Sequence, residues 1–185
     1  MKFKDKVVLV TGGATGLGRA MCLQFAREGA AVIVNYSKSK ERAKEVVNLI
    51  GTTGGQAADI QADVSRDSQA RQLIDKAVAR FNRLDILINN AGWTRFIPHN
   101  ALGKLSEEVL ENTWSVIVKA PIYCTRAAIR HLKENGAGSV INITSSAAYT
   151  AMGSSVIYCA AKAALASITT VSYTHLTLPT TLPRC

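Results

Sequence analysis

Apolar residues fall into two kinds of run that alternate along most of the chain. Short continuous runs such as Val7 to Val10 are typical of strands buried on both faces, and longer stretches with an apolar residue every three or four positions are typical of helices with one buried face. This alternation predicts an α/β fold, a doubly wound parallel sheet between two layers of helices. The predicted strands are 7–10, 30–35, one that runs to 63, 84–88 and 139–144.

The predicted helices lie between these strands and begin or end at turn residues. Gly29 is expected to end the first helix, Ser65 to cap the third, and Ser106 to open a long helix that Pro121 kinks. The last helix is predicted from Ser155 to about Thr169. Ligands of such sheets bind beyond the carboxyl ends of the strands, so the polar residues there are the candidates for a functional site.

A glycine-rich turn follows the first strand and leads directly into the first helix. Its glycines are spaced Gly-x-x-x-Gly-x-Gly, an arrangement that allows a tight turn, a close approach of backbone to a pyrophosphate and close packing of the helix. The amino end of that helix would then face the phosphates. A purely structural turn is the alternative. The predicted dinucleotide-binding residues in this segment are Thr11, Gly12, Thr15, Gly16, Leu17 and Gly18.

The ends of the second and third strands bear on which cofactor is bound. An acidic residue after the second strand would bind the ribose diol of NAD and repel a 2'-phosphate, but Asn35, Ser37 and two lysines, Lys38 and Lys40, stand there instead. This segment favours NADP over NAD, and a solvated basic loop is the alternative. After the third strand, Asp63-Val64 can accept a hydrogen bond from the adenine amino group or form a simple helix-entry turn.

Two further segments complete the candidate site. Asn90, Ala91 and Gly92, after Asn89, close the fourth strand with small and amide groups that let backbone approach the nicotinamide ribose; a structural turn explains them equally well in isolation. Tyr158 and Lys162 are spaced i, i+4 on the last helix and so share one face.

A trio formed by Tyr158, Lys162 and Ser145, which ends the fifth strand, suits carbonyl reduction. Hydride addition to a ketone makes an alkoxide, which needs a proton donor and a group that holds the oxygen. Tyr158 can donate the proton, Lys162 can favour the resulting phenolate, and Ser145 can hold the oxygen. Alone, a Tyr-x-x-x-Lys pair is usually a feature of helix surfaces.

Together, and in this order, these motifs resemble the short-chain dehydrogenase/reductase (SDR) family, in a subgroup similar to 3-oxoacyl-[acyl-carrier-protein] reductases; the likeness covers roughly residues 4–170. The resemblance implies a Rossmann fold, an NADP or NAD cofactor and a small carbonyl or alcohol substrate. It also implies that Ser145, Tyr158 and Lys162 are catalytic, that Tyr158 and Lys162 contact the cofactor, and that the parent protein is a homo-tetramer or homo-dimer. A pseudoenzyme or fragment that binds the dinucleotide without turnover is the alternative.

The chain departs from the family pattern at two places. Ile117 stands where the family usually has an asparagine that supports a proton relay, so we expect weakened turnover. After Thr170 the sequence is rich in threonine and proline and poor in charge. We therefore expect a truncated Rossmann domain over residues 1–170 and an atypical, non-native tail over 171–185, with a short native tail that packs as a strand as the alternative.

Composition excludes several other classes of protein. The net charge of +9 is spread along the 185 residues without a nucleic-acid-binding motif, so no nucleic acid partner is predicted. The four cysteines form no Cys-x-x-Cys pair and no metal site is expected. No apolar run approaches the length of a membrane span or a signal peptide, which predicts a cytoplasmic protein with no membrane partner.

Overall fold

The computed structural model describes residues 1–134, 136 and 138–175, which form a five-stranded sheet in which all pairs are parallel. The strand order is β3-β2-β1-β4-β5. This confirms the predicted Rossmann sheet, and the order reverses beside β1, so that a crevice opens between the carboxyl ends of β1 and β4. The strands are β1 (Val7–Val10), β2 (Ala31–Tyr36), β3 (Ala57–Gln61), β4 (Ile86–Asn89) and β5 (Ser139–Asn142).

Helices connect the strands and cover both faces of the sheet. Helices α1 and α2 pack on one face and α3 and α5 on the other, which gives the predicted three layers. None of the described helices is long and apolar enough to cross a membrane. The helices are α1 (Gly16–Arg27), α2 (Lys40–Thr52), α3 (Asp67–Phe81), α4 (Glu107–Trp114), α5 (Ala120–Glu134), α6 (Ala147–Thr150) and α7 (Val156–His175).

The core explains why the first strand is apolar at every position. All four residues of β1 are at most 3% exposed, because Val8 and Val10 face α1 and α2 while Val7 and Leu9 face α3 and α5. An alternating pattern would have left polar side chains against one helical layer.

The start of the third helix differs from the prediction. Ser65 is not its cap: α3 begins at Asp67 with Arg66 as the capping position and no side-chain capping bond. The Ser65 hydroxyl instead donates to Asp63 Oδ1 over 2.6 Å, and the Ser65 backbone N–H donates to the same oxygen. The carboxylate at the end of the third strand therefore organises this helix entry.

The long fourth helix is interrupted where the sequence predicts a kink. Ser106 caps α4 as expected and accepts a hydrogen bond from the Val109 backbone N–H. Between α4 and α5 the backbone is π-helical over Ser115–Lys119. Pro121 has no N–H to donate to the carbonyl four residues earlier, that of Ile117, and the wider turn just before it accommodates this loss.

The last helix extends past the boundary expected from the sequence. Helix α7 continues to His175, five residues beyond Thr170. Residues 176–185 of the expected tail lie outside the described part of the chain.

Candidate active site

The glycine turn has a backbone that only glycine accommodates easily. Gly12 has φ +63° and Gly16 has φ +52°, in the left-handed region. A Cβ at Gly18 would lie 2.3 Å from the Gly12 carbonyl oxygen, so no larger residue fits there. Thr15, Gly16 and Leu17 are exposed at the amino end of α1. The turn thus presents a bare helix terminus at the mouth of the crevice, which is the geometry that binds phosphate.

The turn is tied to the end of β4 through Thr11 and Asn90. The Thr11 hydroxyl accepts hydrogen bonds from the backbone N–H groups of Asn90 and Ala91, at 2.9 and 3.0 Å. The Asn90 side-chain amide donates back to the carbonyls of Thr11 and Gly12. These reciprocal bonds fix the two strand ends at the switch point relative to each other, so segments far apart in the sequence meet at one edge of the sheet.

Asn35 is part of the sheet rather than of its open surface. Its side chain is 2% exposed, accepts from the Gly12 backbone N–H at 3.2 Å, and donates to the carbonyls of Ile60 and Ala62. Its amide is thus occupied by internal partners. We expect any effect of Asn35 on a cofactor to arise from its hold on the glycine turn.

The residues after β2 are open to solvent. Ser37, Lys38 and Lys40 are all exposed, with no acidic side chain among them. Across the strand end, Asp63 is half-buried and paired with Ser65 and, at 3.5 Å, with the Arg66 side chain, while Val64 is buried in the core. Asp63 therefore forms a helix-entry turn, and its bond to the adenine amino group stays a prediction.

Tyr158 and Lys162 lie together at the start of α7. The Lys162 ammonium lies 5.9 Å from the centre of the Tyr158 ring. Lys162 is 5% exposed, and its Nζ donates to the Ile143 carbonyl oxygen over 2.6 Å. Burial lowers the pKa of Lys162 below its ordinary value. The site therefore holds a desolvated ammonium beside a half-buried phenol.

Ser145 lies just beyond the strand that holds Lys162. It follows β5 by three residues, and its hydroxyl accepts from the Ala147 backbone N–H at 3.2 Å. The same strand end thus carries Ser145 and, through the Ile143 carbonyl, anchors Lys162. The loop after α6 lies against Tyr158, since a Cβ at Gly153 would be 3.2 Å from a carbon of the Tyr158 ring.

Ile117 is buried in the π-helical segment and makes only apolar packing behind the site. It is 1% exposed and belongs to a cluster with Val118, Ala161 and Leu165, against which Tyr158 also packs. The cluster gives the phenol a dry, apolar support. Ile117 itself cannot carry a proton.

Two loops at the mouth of the crevice are joined to each other. The Ile97 backbone N–H donates to the Ser154 carbonyl at 2.7 Å, and the Thr94 and Ser154 hydroxyls are hydrogen-bonded. Phe96 and Met152 on these loops and Tyr149 on α6 are each more than 70% exposed. Phe96 therefore offers apolar surface at the mouth of the crevice, whereas Ile97 is buried and serves packing.

Sequence reasoning missed the group that anchors the lysine. The Ile143 carbonyl is a backbone oxygen, and no residue type identifies such a partner. The bond between the mouth loops was also missed, because serine and threonine are common in all loops. Within the described residues, no group of three His, Cys, Asp or Glu side chains could hold a metal ion.

Comparisons with known proteins agree with this geometry. The family model described as short chain dehydrogenase matches residues 6–177. An uncharacterized oxidoreductase of Thermotoga maritima is 40% identical over 169 residues, 91% of this chain and 65% of its own length. One from Methylorubrum extorquens is 42% identical over 170 residues, 92% of this chain and 66% of its own length. The chain thus spans about 65% of the length of these curated relatives.

Solved structures show the same likeness. A short chain dehydrogenase from Mycobacterium avium superposes with a TM-score of 0.84 at 35% identity, over 95% of this chain and 66% of that one. A dehydrogenase/reductase from Sinorhizobium meliloti has a TM-score of 0.82 at 35% identity, over 89% of this chain and 64% of that one. The order of the motifs predicted this fold, and the structure contains within it the glycine turn, the Asn90 segment and the Tyr158–Lys162 pair. The chain belongs to the short-chain dehydrogenase family.

Proposed function

We propose that the chain transfers hydride between NADP(H) and a carbonyl or secondary alcohol, with 3-oxoacyl compounds as the substrate class. The observation that carries the proposal is the buried Lys162 ammonium beside Tyr158, held by the Ile143 carbonyl at the end of β5. A buried cation has an energetic penalty, and one held beside Tyr158 is placed to stabilise negative charge that develops on the phenol oxygen during proton transfer.

The crevice fits a dinucleotide cofactor. The left-handed backbone at Gly12 and Gly16, with open space beside the exposed Gly16, leaves room where a pyrophosphate would approach, and the bare amino end of α1 would face its charge. Ala91 and Gly92 would lie against the nicotinamide ribose. When bound, the nicotinamide supplies or accepts the hydride.

The chain's own residues then handle the oxygen and the proton. Ser145 holds the carbonyl oxygen through its hydroxyl, and Tyr158 donates its proton to the alkoxide that forms. Lys162 stabilises the phenolate left on Tyr158, while the apolar cluster around Ile117 excludes water from behind the ring. Oxidation of the alcohol runs these transfers in reverse.

The preference for NADP rests on the exposed segment after β2. Ser37, Lys38 and Lys40 can contact a 2'-phosphate, and no carboxylate within this segment repels it.

The substrate class rests on a relative and on the mouth of the crevice. A protein of Streptomyces violaceoruber named as a candidate ketoacyl reductase of granaticin polyketide synthesis is 39% identical over 152 residues, 82% of this chain and 59% of its own length. The exposed Phe96, Tyr149 and Met152 offer apolar surface to an acyl chain. A cytoplasmic location and a homo-dimeric or homo-tetrameric parent protein remain predictions.

The test combines cofactor binding with turnover. The purified chain is titrated with NADPH and with NADH while the fluorescence of Trp93 and Trp114 is followed, and NADPH oxidation by an acetoacetyl thioester is then measured. We expect saturable binding, tighter for NADPH. Tyr158→Phe should lower turnover by about 10²-fold or more while NADPH binding is kept. Tyr123→Phe, on α5, is the matched control and should behave as wild type.

A second candidate function is dinucleotide binding without turnover. The burial of Ile117 in an apolar cluster favours it, since the isoleucine side chain cannot relay a proton. Tight NADPH binding with no oxidation by any ketone tested would select this function. In that case Ile117→Asn should raise the rate of NADPH oxidation. An unchanged rate in a folded variant would show that the absent asparagine relay does not limit turnover.

A further inference from the structure

A chain of side-chain hydrogen bonds crosses the face of the sheet that α5 and α7 cover. Asn89 of β4 and Asn142 of β5 are register partners, and Asn89 Nδ2 donates to Asn142 Oδ1 over 2.8 Å. Asn142 Nδ2 donates to the Thr169 hydroxyl of α7 over 2.9 Å. The Thr169 hydroxyl in turn donates to the Leu165 carbonyl over 2.7 Å. The donors and acceptors thus run in one direction from the sheet into the helix.

These bonds attach α7 to the end of β5 at two points. The Thr169 hydroxyl accepts from the Asn142 amide, and Lys162 donates to the carbonyl of Ile143, the first residue after β5. Lys162 and Thr169 are seven positions apart, which is two helical turns, so both lie on the same face of α7. Two attachments separated by two turns hold a helix against both sliding and rotation.

The remaining contacts of α7 are poorly suited to fixing its register. The helix packs through small or aliphatic side chains, among them Ala161, Ala164 and Leu165. Apolar contact is non-directional, and alanine side chains offer little relief, so these contacts define the register of α7 less sharply than a hydrogen bond does. A hydrogen bond between an amide and a hydroxyl has a narrow range of distance and angle, and therefore selects one register.

We propose that Asn142 and Thr169 act as positioning residues that set the distance between Ser145 and Tyr158. Ser145 lies three residues beyond Asn142 on the β5 side, and Tyr158 lies eleven residues before Thr169 on α7. The bond between Asn142 and Thr169 therefore joins the two elements that carry the oxygen-binding hydroxyl and the proton donor. A displacement of about 1 Å between such groups can lower a rate by about 10²-fold. This inference rests on the proposed function.

The test uses variants that remove the hydrogen bond between Asn142 and Thr169 and keep the approximate size of the side chain; Asn142→Leu also removes the acceptor of the Asn89 amide. Thr169→Val replaces the hydroxyl by a methyl group, and Asn142→Leu replaces the amide by an apolar group of similar size. Thr169→Ser keeps the hydroxyl and serves as the rescue. Thr113→Val is the matched control, because Thr113 is fully buried and its hydroxyl donates to the Val109 carbonyl over 2.7 Å, with no link to β5.

We expect a specific loss of kcat. Thr169→Val and Asn142→Leu should each lower kcat with the acetoacetyl thioester by about tenfold or more, with the KM for NADPH changed less than about twofold, because the glycine turn is untouched. Thr169→Ser and Thr113→Val should retain kcat within about threefold of wild type. The double variant should be no worse than the poorer single variant, since each substitution already removes the bond between Asn142 and Thr169.

A second readout does not depend on activity. Cys159 is half-buried one residue after Tyr158, and its Sγ lies 3.0 Å from the position of a Cβ at Gly153. Its rate of alkylation, resolved by mass spectrometry, therefore reports how firmly the start of α7 is packed. Thr169→Val should raise that rate by about threefold or more, with the buried Cys22 and Cys124 unchanged as references for global unfolding.

The outcomes separate this inference from the proposed function. A wild-type chain that turns over no ketone contradicts the proposed function, and the alkylation of Cys159 still decides whether Thr169 fixes α7. The positioning role is wrong if Thr169→Val changes Cys159 alkylation no more than Thr113→Val does. It is also wrong if an active chain keeps its kcat in both Thr169→Val and Asn142→Leu.

Discussion

Two charged side chains are buried within the described residues, at opposite edges of the sheet, and their surroundings differ in kind. Asp85, at the amino end of β4, is 1% exposed and receives two hydrogen bonds from Arg83, one from Lys6 and one from the Val7 backbone N–H. Lys162, at the carboxyl edge, is bound to one carbonyl oxygen and has no carboxylate partner among these residues.

Both groups have lowered pKa values, but with opposite meaning. Burial alone would raise the pKa of Asp85, and the bonds from Arg83, Val7 and Lys6 outweigh it, so the carboxylate is favoured in the folded state. Burial lowers the pKa of Lys162, so its charged form is disfavoured there. Asp85 therefore stabilises the fold at neutral pH, whereas the ammonium of Lys162 destabilises it. A charge retained at an energetic penalty points to function, and a fully paired charge points to structure.

The largest effect is expected from Lys162→Met. Loss of the ammonium should lower turnover by about 10³-fold, because Tyr158 loses the charge that stabilises its phenolate. The free energy of unfolding at pH 7 should stay the same or rise, since a buried charge is removed. NADPH oxidation and urea unfolding measure the two quantities. If Lys162→Met keeps its turnover, or if its free energy of unfolding clearly falls, the contrast drawn between Lys162 and Asp85 is wrong.

Asp85→Asn should show the reverse pattern. The neutral amide cannot satisfy two cations and a backbone N–H, so we expect a loss of about 2–4 kcal/mol in the free energy of unfolding. NADPH affinity, measured at low temperature where the variant is folded, should be unchanged, because the cofactor crevice lies at the other edge. Urea unfolding checks the first quantity and fluorescence titration the second. A lower affinity for NADPH with an unchanged free energy of unfolding would show that Asp85 serves the cofactor site rather than the stability of the fold.

Acidification should affect the wild type more than Asp85→Asn. The pKa of Asp85 is lower in the folded state than the ordinary value of about 3.9, so its stabilisation is complete well above pH 4 and is lost as pH falls through the folded pKa. Urea unfolding at a series of pH values between about 6 and 2 should show a steeper decline for the wild type. Parallel curves for the two proteins would mean that other carboxylates dominate.

The smallest effect is expected at an exposed ion pair. Asp67 on α3 accepts hydrogen bonds from Arg71 and Arg126. These bonds lower the pKa of Asp67, and the bond from Arg71 has the largest effect. Both arginines are more than half exposed, so solvent replaces the interaction readily. Asp67→Asn should therefore leave the urea midpoint within error of wild type. A large shift would show that pairing, rather than burial, explains the importance of Asp85.

The sequence predicted those parts of the fold that local patterns specify. The buried run of β1, the Ser106 cap and the parallel sheet follow from periodicity and capping chemistry, and the structure confirms them. The predicted cap at Ser65 is wrong because Asp63, two residues earlier, competes for the serine hydroxyl. The catalytic and cofactor roles of the site residues remain predictions.

The sequence by itself determined the order of elements, the glycine turn and the spacing of Tyr158 and Lys162, because each depends on neighbours within one or two turns of chain. Only the tertiary structure decided how Asn35 is used, which carbonyl anchors Lys162, and that Asn142 reaches Thr169. Those contacts join groups separated by 19 to 27 positions. Their partners are backbone atoms or common polar side chains, and only packing of the sheet against its helices selects among them.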